Sequence, residues 1–217
     1  MSTSSSCARA ILTSSLAMML AAPAPAQTGF TPPRLVSAAV PPSPMGAQSG
    51  GIAAFDVTLD ERGSVAAVEA VQDFAPFGEL LREAVRGWTF EPARDQGRAV
   101  RSRVLVLGFF RPPELAVIAP PRPRYKDTVA PPELPWPTSV TVPPYPPNAL
   151  GSGKVVLEVE VSEEGKVTST RVLNPGTPFD SAATGAAKAW VFRPASRNGR
   201  PSATRACFIF SFVGTTR

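Results

Sequence analysis

The chain contains no histidine, so it lacks the side chain that most often serves as a general base near neutral pH and as a metal ligand. It has two cysteines, Cys7 and Cys207. Cys7 falls in a segment read below as a leader, which leaves one thiol and no internal disulfide. Without histidine, neither a serine nor Cys207 has the usual base beside it to make a nucleophile. No Cys/His cluster offers a metal site, and no glycine-rich loop follows a strand to cradle phosphate. The carboxylate pairs Asp60-Glu61 and Glu163-Glu164 fall on polar turns, where solvent keeps them ordinary. These absences leave no catalytic residue, metal or cofactor to name, and they argue against an enzyme.

What the chain has in excess is proline, 26 of 217 residues, which marks linkers and turns. Hydrophobic residues are 43%, enough for real cores. The first 26 residues read as a targeting segment: Arg9, an apolar stretch at 11–22 interrupted by Thr13, Ser14 and Ser15, then Ala24-Pro25-Ala26, with Gln27 as the mature start. Twelve positions fall short of the roughly 20 a bilayer-spanning helix needs. Export with cleavage is therefore expected, the alternative being an inner-membrane anchor facing the periplasm. The net charge of +5 would suggest nucleic acid in a cytosolic protein. An exported chain instead meets anionic envelope polymers and lipids, so no nucleic-acid partner is expected.

Sliding the chain against itself by 102 residues brings two halves into register without a gap. Gly51 falls on Gly153, Val57 on Val159, Gly63 on Gly165, and Pro76-Phe77 on Pro178-Phe179. The most specific alignment sets Trp88-Thr89-Phe90-Glu91-Pro92-Ala93 on Trp190-Val191-Phe192-Arg193-Pro194-Ala195. Gly97-Arg98, Arg103 and Phe110 then match Gly199-Arg200, Arg205 and Phe212.

Each half carries the same local pattern. Phe55, Val57 and Leu59 alternate with polar or small residues, as do Val155, Leu157, Val159 and Val161, a period of two that indicates strands. Polar turns at 60–63 and 162–165 end in glycines free to take positive φ. Second strands follow at 65–71 and 166–173. Phe179, Ala183, Ala186, Ala187 and Trp190, like Phe77, Leu81, Ala84, Val85 and Trp88, recur at helical spacing. Asp180 is a plausible N-cap, and Pro92 and Pro194 stop the helices. A last strand at 204–213 places Ala206, Phe208, Phe210 and Phe212 on one face. The expected fold class is α+β: two tandem small domains, each a three-stranded antiparallel sheet with one main helix, ordered strand-strand-helix-strand.

The second half resembles the TonB C-terminal domain family. The likeness rests on Tyr145-Pro146-Pro147-Asn148-Ala149, Gly153-Lys154-Val155-Val156-Leu157, Phe179-Asp180, the Trp190–Ala195 motif and Asn198-Gly199-Arg200-Pro201. The first half is similar but degenerate, with Ser43-Pro44-Met45 where Tyr145-Pro146-Pro147 stands. The division expected is a signal peptide at 1–26, an N-terminal segment at 27–43, a first domain at 44–111, a Pro-rich linker at 112–142 and a second domain at 143–217. Within the linker, Leu134, Trp136, Val140 and Val142 are apolar enough to lie against a domain. The resemblance implies a periplasmic domain that grips an extended segment of TonB-dependent outer-membrane receptors by strand addition, in the service of transmembrane transport. Two domains, a cleavable-looking leader and the missing histidine depart from the family's energy transducers. The competing reading is a structural envelope protein that binds peptidoglycan or self-associates.

The residues expected to bind the partner are those of the last strand, Arg205, Ala206, Cys207, Phe208, Ile209, Phe210 and Ser211, together with Arg200. Nothing later in the chain covers this strand, and an uncovered edge accepts another strand. Cys207, Ile209 and Ser211 form the expected outward row. Trp88, Phe90, Trp190 and Phe192 read as core rather than a ligand platform. Cys207 reads as a small buried hydrophobe rather than a reactive thiol. The arginines at 94, 98, 101 and 103, echoed at 193, 197, 200 and 205, form a solvated face or meet an anionic partner.

Overall fold

The computed structural model describes residues 29–41, 51–73, 75–110, 130–175 and 177–214. The expected leader with its cleavage point after Ala26, the segment Ser43-Pro44-Met45 and most of the Pro-rich linker lie outside the described residues.

The first half contains β1 (Phe30–Thr31), β2 (Arg34–Ser37), β3 (Gly51–Leu59), β4 (Val65–Gln72), α1 (Phe77–Arg86), β5 (Thr89–Glu91), β6 (Ala93–Asp95), β7 (Arg98–Val100) and β8 (Ser102–Phe110). The second contains β9 (Trp136–Ser139), β10 (Gly153–Val161), β11 (Val167–Val172), α2 (Asp180–Ala187), β12 (Val191–Arg193), β13 (Ala195–Arg197), β14 (Arg200–Ser202) and β15 (Thr204–Phe212). The fold is α+β, with mostly antiparallel pairing.

The long strands do not form two separate sheets. They make one six-stranded sheet in the order β11-β10-β15-β8-β3-β4. All neighbours are antiparallel except the central pair, where β15 runs parallel to β8 with Ala206 opposite Leu105 and Ser211 opposite Phe110. Matching strands that lie side by side and parallel are related by a half-turn about an axis along them, and such a turn inverts the faces. The helices accordingly cover opposite faces. Ala183 and Ala187 of α2 share a core with Leu105, Leu107 and Phe109 of β8. Leu81 and Val85 of α1 share the other core with Cys207 and Ile209 of β15. Successive residues of a strand point to opposite sides, so the middle strands are apolar on both, and the core is two layers flanking one sheet.

Short arms complete each half. β2 pairs with β5, and β9 with β12. The Trp88 indole N–H donates to the Ala39 carbonyl at 2.9 Å, and the Trp190 indole to the Thr141 carbonyl at 3.0 Å, pairs that stand 102 residues apart. The arms thus belong to the folded halves, although the sequence reading put them in an N-terminal segment and a linker. Leu134 is fully buried and Trp136 nearly so.

The hairpin turns are held by close approach. Gly63 and Gly165 have φ of +83° and +78°, and a Cβ there would stand 1.9 Å and 1.8 Å from the carbonyl oxygens of Phe90 and Phe192. Only glycine tolerates both conditions. The amides of Phe90 and Phe192 return hydrogen bonds to the two glycine carbonyls, which clamps each turn onto the strand that follows the helix. Three local expectations need adjustment. Trp88 and Trp190 lie beyond the helix ends, and Pro92 and Pro194 separate short strands rather than stop helices. Nor is Asp180 the N-cap: Phe179 holds that position, and Asp180 opens the first turn of α2, its carboxylate accepting hydrogen bonds from the Thr177 amide at 3.1 Å and hydroxyl at 2.7 Å.

Candidate functional site

A partner that adds as a strand needs an edge with unpaired amides and carbonyls. The expected edge, β15, is not one. It lies between β10 and β8 and pairs with both, because the first half supplies the neighbour that the sequence reading left vacant. A peptide cannot add there without displacing β8. The outward row is likewise inward on the opposite face: Cys207 and Ile209 are fully buried in the α1-side core, and Ser211 is buried too. Ala206, Phe208 and Phe210 fill the α2-side core. Trp190 meets the Phe208 ring edge-on at 4.7 Å, and Phe192 lies 6.1 Å from it. Trp88 and Phe90 are buried in the other core, 6.4 Å apart.

Burial pushes the Cys207 thiol well above its ordinary value, so the group stays protonated and un-nucleophilic. Arg205 turns to the first arm, donating to the Pro32 carbonyl at 3.0 Å, and lies 3.8 Å from the Glu160 carboxylate. Arg200 stands exposed on β14. The predicted partner-binding set is therefore mostly core, with Arg205 at an internal junction and Arg200 alone facing solvent.

The edges of the long sheet are β4 and β11. Among the described residues each leaves one side unpaired, and each is only partly buried. β11 carries Thr168, Ser169 and Thr170 along its middle, residues suited to extended backbone and to water. Its inner side is anchored by a buried acid that sequence reasoning passed over. Glu158 on β10, 5% exposed, binds Arg171 on β11 at 2.8 Å and accepts the Leu35 amide from the first arm at 2.6 Å. Arg171 also donates to the Leu35 carbonyl. The matching position in the first half is Asp56, 3% exposed and held by Arg103. The hydrogen bonds that Arg103 donates to Asp56 raise its guanidinium above its ordinary value. An acid amid apolar strand residues at corresponding positions of both halves was the available signal, since a buried carboxylate needs a partner.

Among the described residues no group of three or more His, Cys, Asp or Glu is placed to hold a metal ion. No helix among them is long and apolar enough to cross a membrane. Residues 141–213 match the family model described as Gram-negative bacterial TonB protein C-terminal. The matched stretch runs from the end of the second arm through β15. No curated protein matches the chain.

Proposed function

We propose that this chain is a TonB-like protein of the periplasm that serves transmembrane transport, without catalysis of its own, by binding extended segments of TonB-dependent outer-membrane receptors as an added β-strand. The observation that carries this reading is the family match over 141–213, on the half whose outermost strand, β11, has an unpaired side. The first half is a divergent second copy of the same domain, joined through the paired strands β8 and β15. In this reading the docking edge moves outward from β15 to β11, where backbone pairing supplies much of the affinity and Thr168, Ser169 and Thr170 grade the incoming side chains.

The test is binding of synthetic peptides that span the periplasmic extended segments of the host's outer-membrane transport receptors, measured by calorimetry on the full chain. Proline at Thr168 and Thr170 is compared with proline at Ser169, because only one of these sets removes amides that point away from β10. One set is expected to abolish binding and the other to spare it. Unchanged affinity in both, with folding intact by circular dichroism, overturns strand addition at β11.

A further inference from the structure

Each arm crosses to the other half. Leu35 of the first arm is buried with Val156, Cys207 and Ile209 of the second half, and Leu134 and Trp136 of the second arm share a core with Ala54, Leu105 and Leu107 of the first. The two crossings correspond in place: Leu35 pairs with Phe90, and Pro137 with Phe192. Their polar contacts do not correspond. At Leu35 the main chain is read twice. Its amide donates to Glu158 at 2.6 Å, and its carbonyl accepts from Arg171, which binds the same carboxylate at 2.8 Å from the opposite position on β11. Among the described residues the first half builds no such clamp. Pro137 has no amide to give. Glu69 stands opposite Asp56, where the second half has Arg171, and has no donor for a carbonyl. Asp56 is taken by Arg103 of β8 instead. Two more cations of the second half hold the first arm: Arg205 donates to the Pro32 carbonyl at 3.0 Å, and the Lys154 ammonium donates to that of Pro41.

We propose that the first arm controls the order of the β11 edge, with Arg171 as the side chain that arm and edge share. Resting on β11 as the docking edge, this coupling gives that edge its regulation. An edge strand is bonded to its sheet along one side only, and such elements open locally more easily than central strands. The clamp fastens β11 through Arg171 to a buried carboxylate on β10 and to the arm at once. With the arm seated, β11 is held extended, and an incoming strand meets a template that is already ordered, so less conformational entropy is lost on binding. With the arm released, Glu158 loses the Leu35 amide, Arg171 loses the Leu35 carbonyl, and β11 is freer to open. Coupling of this kind is reciprocal, so a segment bound on β11 also tightens the arm. β4 carries Glu69 at the matching place and lacks the link, which leaves the two edges of the long sheet unlike in how well they are prepared for a partner.

The test is amide hydrogen exchange, read by mass spectrometry on the full chain, alone and with the receptor-segment peptides. In Glu158→Gln the amides of β2 and β11 are expected to exchange roughly tenfold faster relative to those of β3, β4 and β8, the scale of one hydrogen bond to a charged group. Leu35→Ala loosens the arm without changing a residue of β10 or β11, and it should accelerate the same two strands. Asp56→Asn, at the matching place in the first half, should leave β11 at the parent's rate. Peptide affinity should fall about tenfold in Glu158→Gln, on the same scale, and peptide bound to the parent should slow exchange in β2. Faster exchange in β2 with β11 unaltered, equal acceleration of every strand, or bound peptide that leaves β2 unprotected overturns the coupling. If no peptide binds the parent, the docking reading of β11 fails by itself, and the exchange rates of the free protein still decide whether arm and edge are coupled.

Discussion

The two halves share a skeleton and differ in how they fill it. In both, the aromatic at the helix start stacks on the last aromatic of the final long strand: Phe77 on Phe110 at 4.4 Å, and Phe179 on Phe212 at 4.7 Å. The Trp–Phe pairs after the helices are also alike, at 6.4 Å and 6.3 Å. Between these fixed points the bulk changes sides. In the first half the helix brings Leu81 and Val85, and the strand opposite has Gly108; a Cβ on Gly108 would stand 2.7 Å from a Leu81 methyl carbon. In the second half the corresponding helix residues are Ala183 and Ala187, and the strand brings Phe210. Volume moved from helix to sheet while the total stayed suited to the space, as close packing demands. The element order is the same in both halves, but the packing that fills it is not.

The largest test of the shared skeleton is Trp190→Ala. Emptying a fully packed aromatic site should cost about 3–5 kcal/mol, and Trp88→Ala should cost a similar amount. Because β15 and β8 sit in one sheet, denaturant unfolding of each variant should remain a single transition shifted to lower midpoint. Two separated transitions would show the halves to be independent and break the comparison.

The exchange of bulk is tested next. Leu81→Ala should destabilise by about 2–5 kcal/mol. Gly108→Ala should be less destabilising in the Leu81→Ala background than in the parent, because the clash with Leu81 is gone while the Phe110 ring, also 2.7 Å from that Cβ, remains. The reverse change, Ala183→Leu, should cost about 1–3 kcal/mol through overpacking against Phe210. Additive effects of Leu81→Ala and Gly108→Ala in the double-mutant cycle would mean that the two positions do not share the space.

The smallest effect concerns the Cys207 thiol, whose counterpart in the first half is Leu105. Folding raises the Cys207 value, so the folded state holds this proton more tightly than the unfolded one. Its contribution is present below the unfolded thiol range and is lost as pH rises through the folded value. Stability should fall more steeply above about pH 8.5, the ordinary thiol value, in the parent than in Cys207→Ala. A thiol reagent should label Cys207 only as fast as the sheet opens. Identical alkaline profiles, or rapid labelling of the native protein, would place Cys207 at an exposed edge after all.

Much of this architecture was legible locally. The hairpins at 60–63 and 162–165, the helices ahead of the tryptophans and the correspondence at 102 residues rest on periodicity and turn chemistry within a few residues. The candidate site was less legible. Reading β15 as an edge treated Cys207 and Ile209 as outward, yet Ala206–Phe210 is an uninterrupted apolar run, as is Val104–Leu107. Such runs belong to strands covered on both faces. The strand pairing of the arms escaped, although Leu134 and Trp136 were read as apolar enough to lie against a domain, because β2 and β9 are short, lie beside prolines and are stabilised mainly by partners far along the chain.

The sequence by itself determined where the long strands and the two helices lie, where the tight turns fall, and that the two halves repeat one order of these elements. Those properties follow from side-chain spacing and backbone preference, which act over short distances. Only the tertiary structure decided that β15 pairs with β8, that the helices take opposite faces, and that among the described residues the edges left unpaired are β4 and β11. Strand partners are chosen by burying two apolar faces at once across about a hundred residues of chain, and no local pattern in a strand names its neighbour.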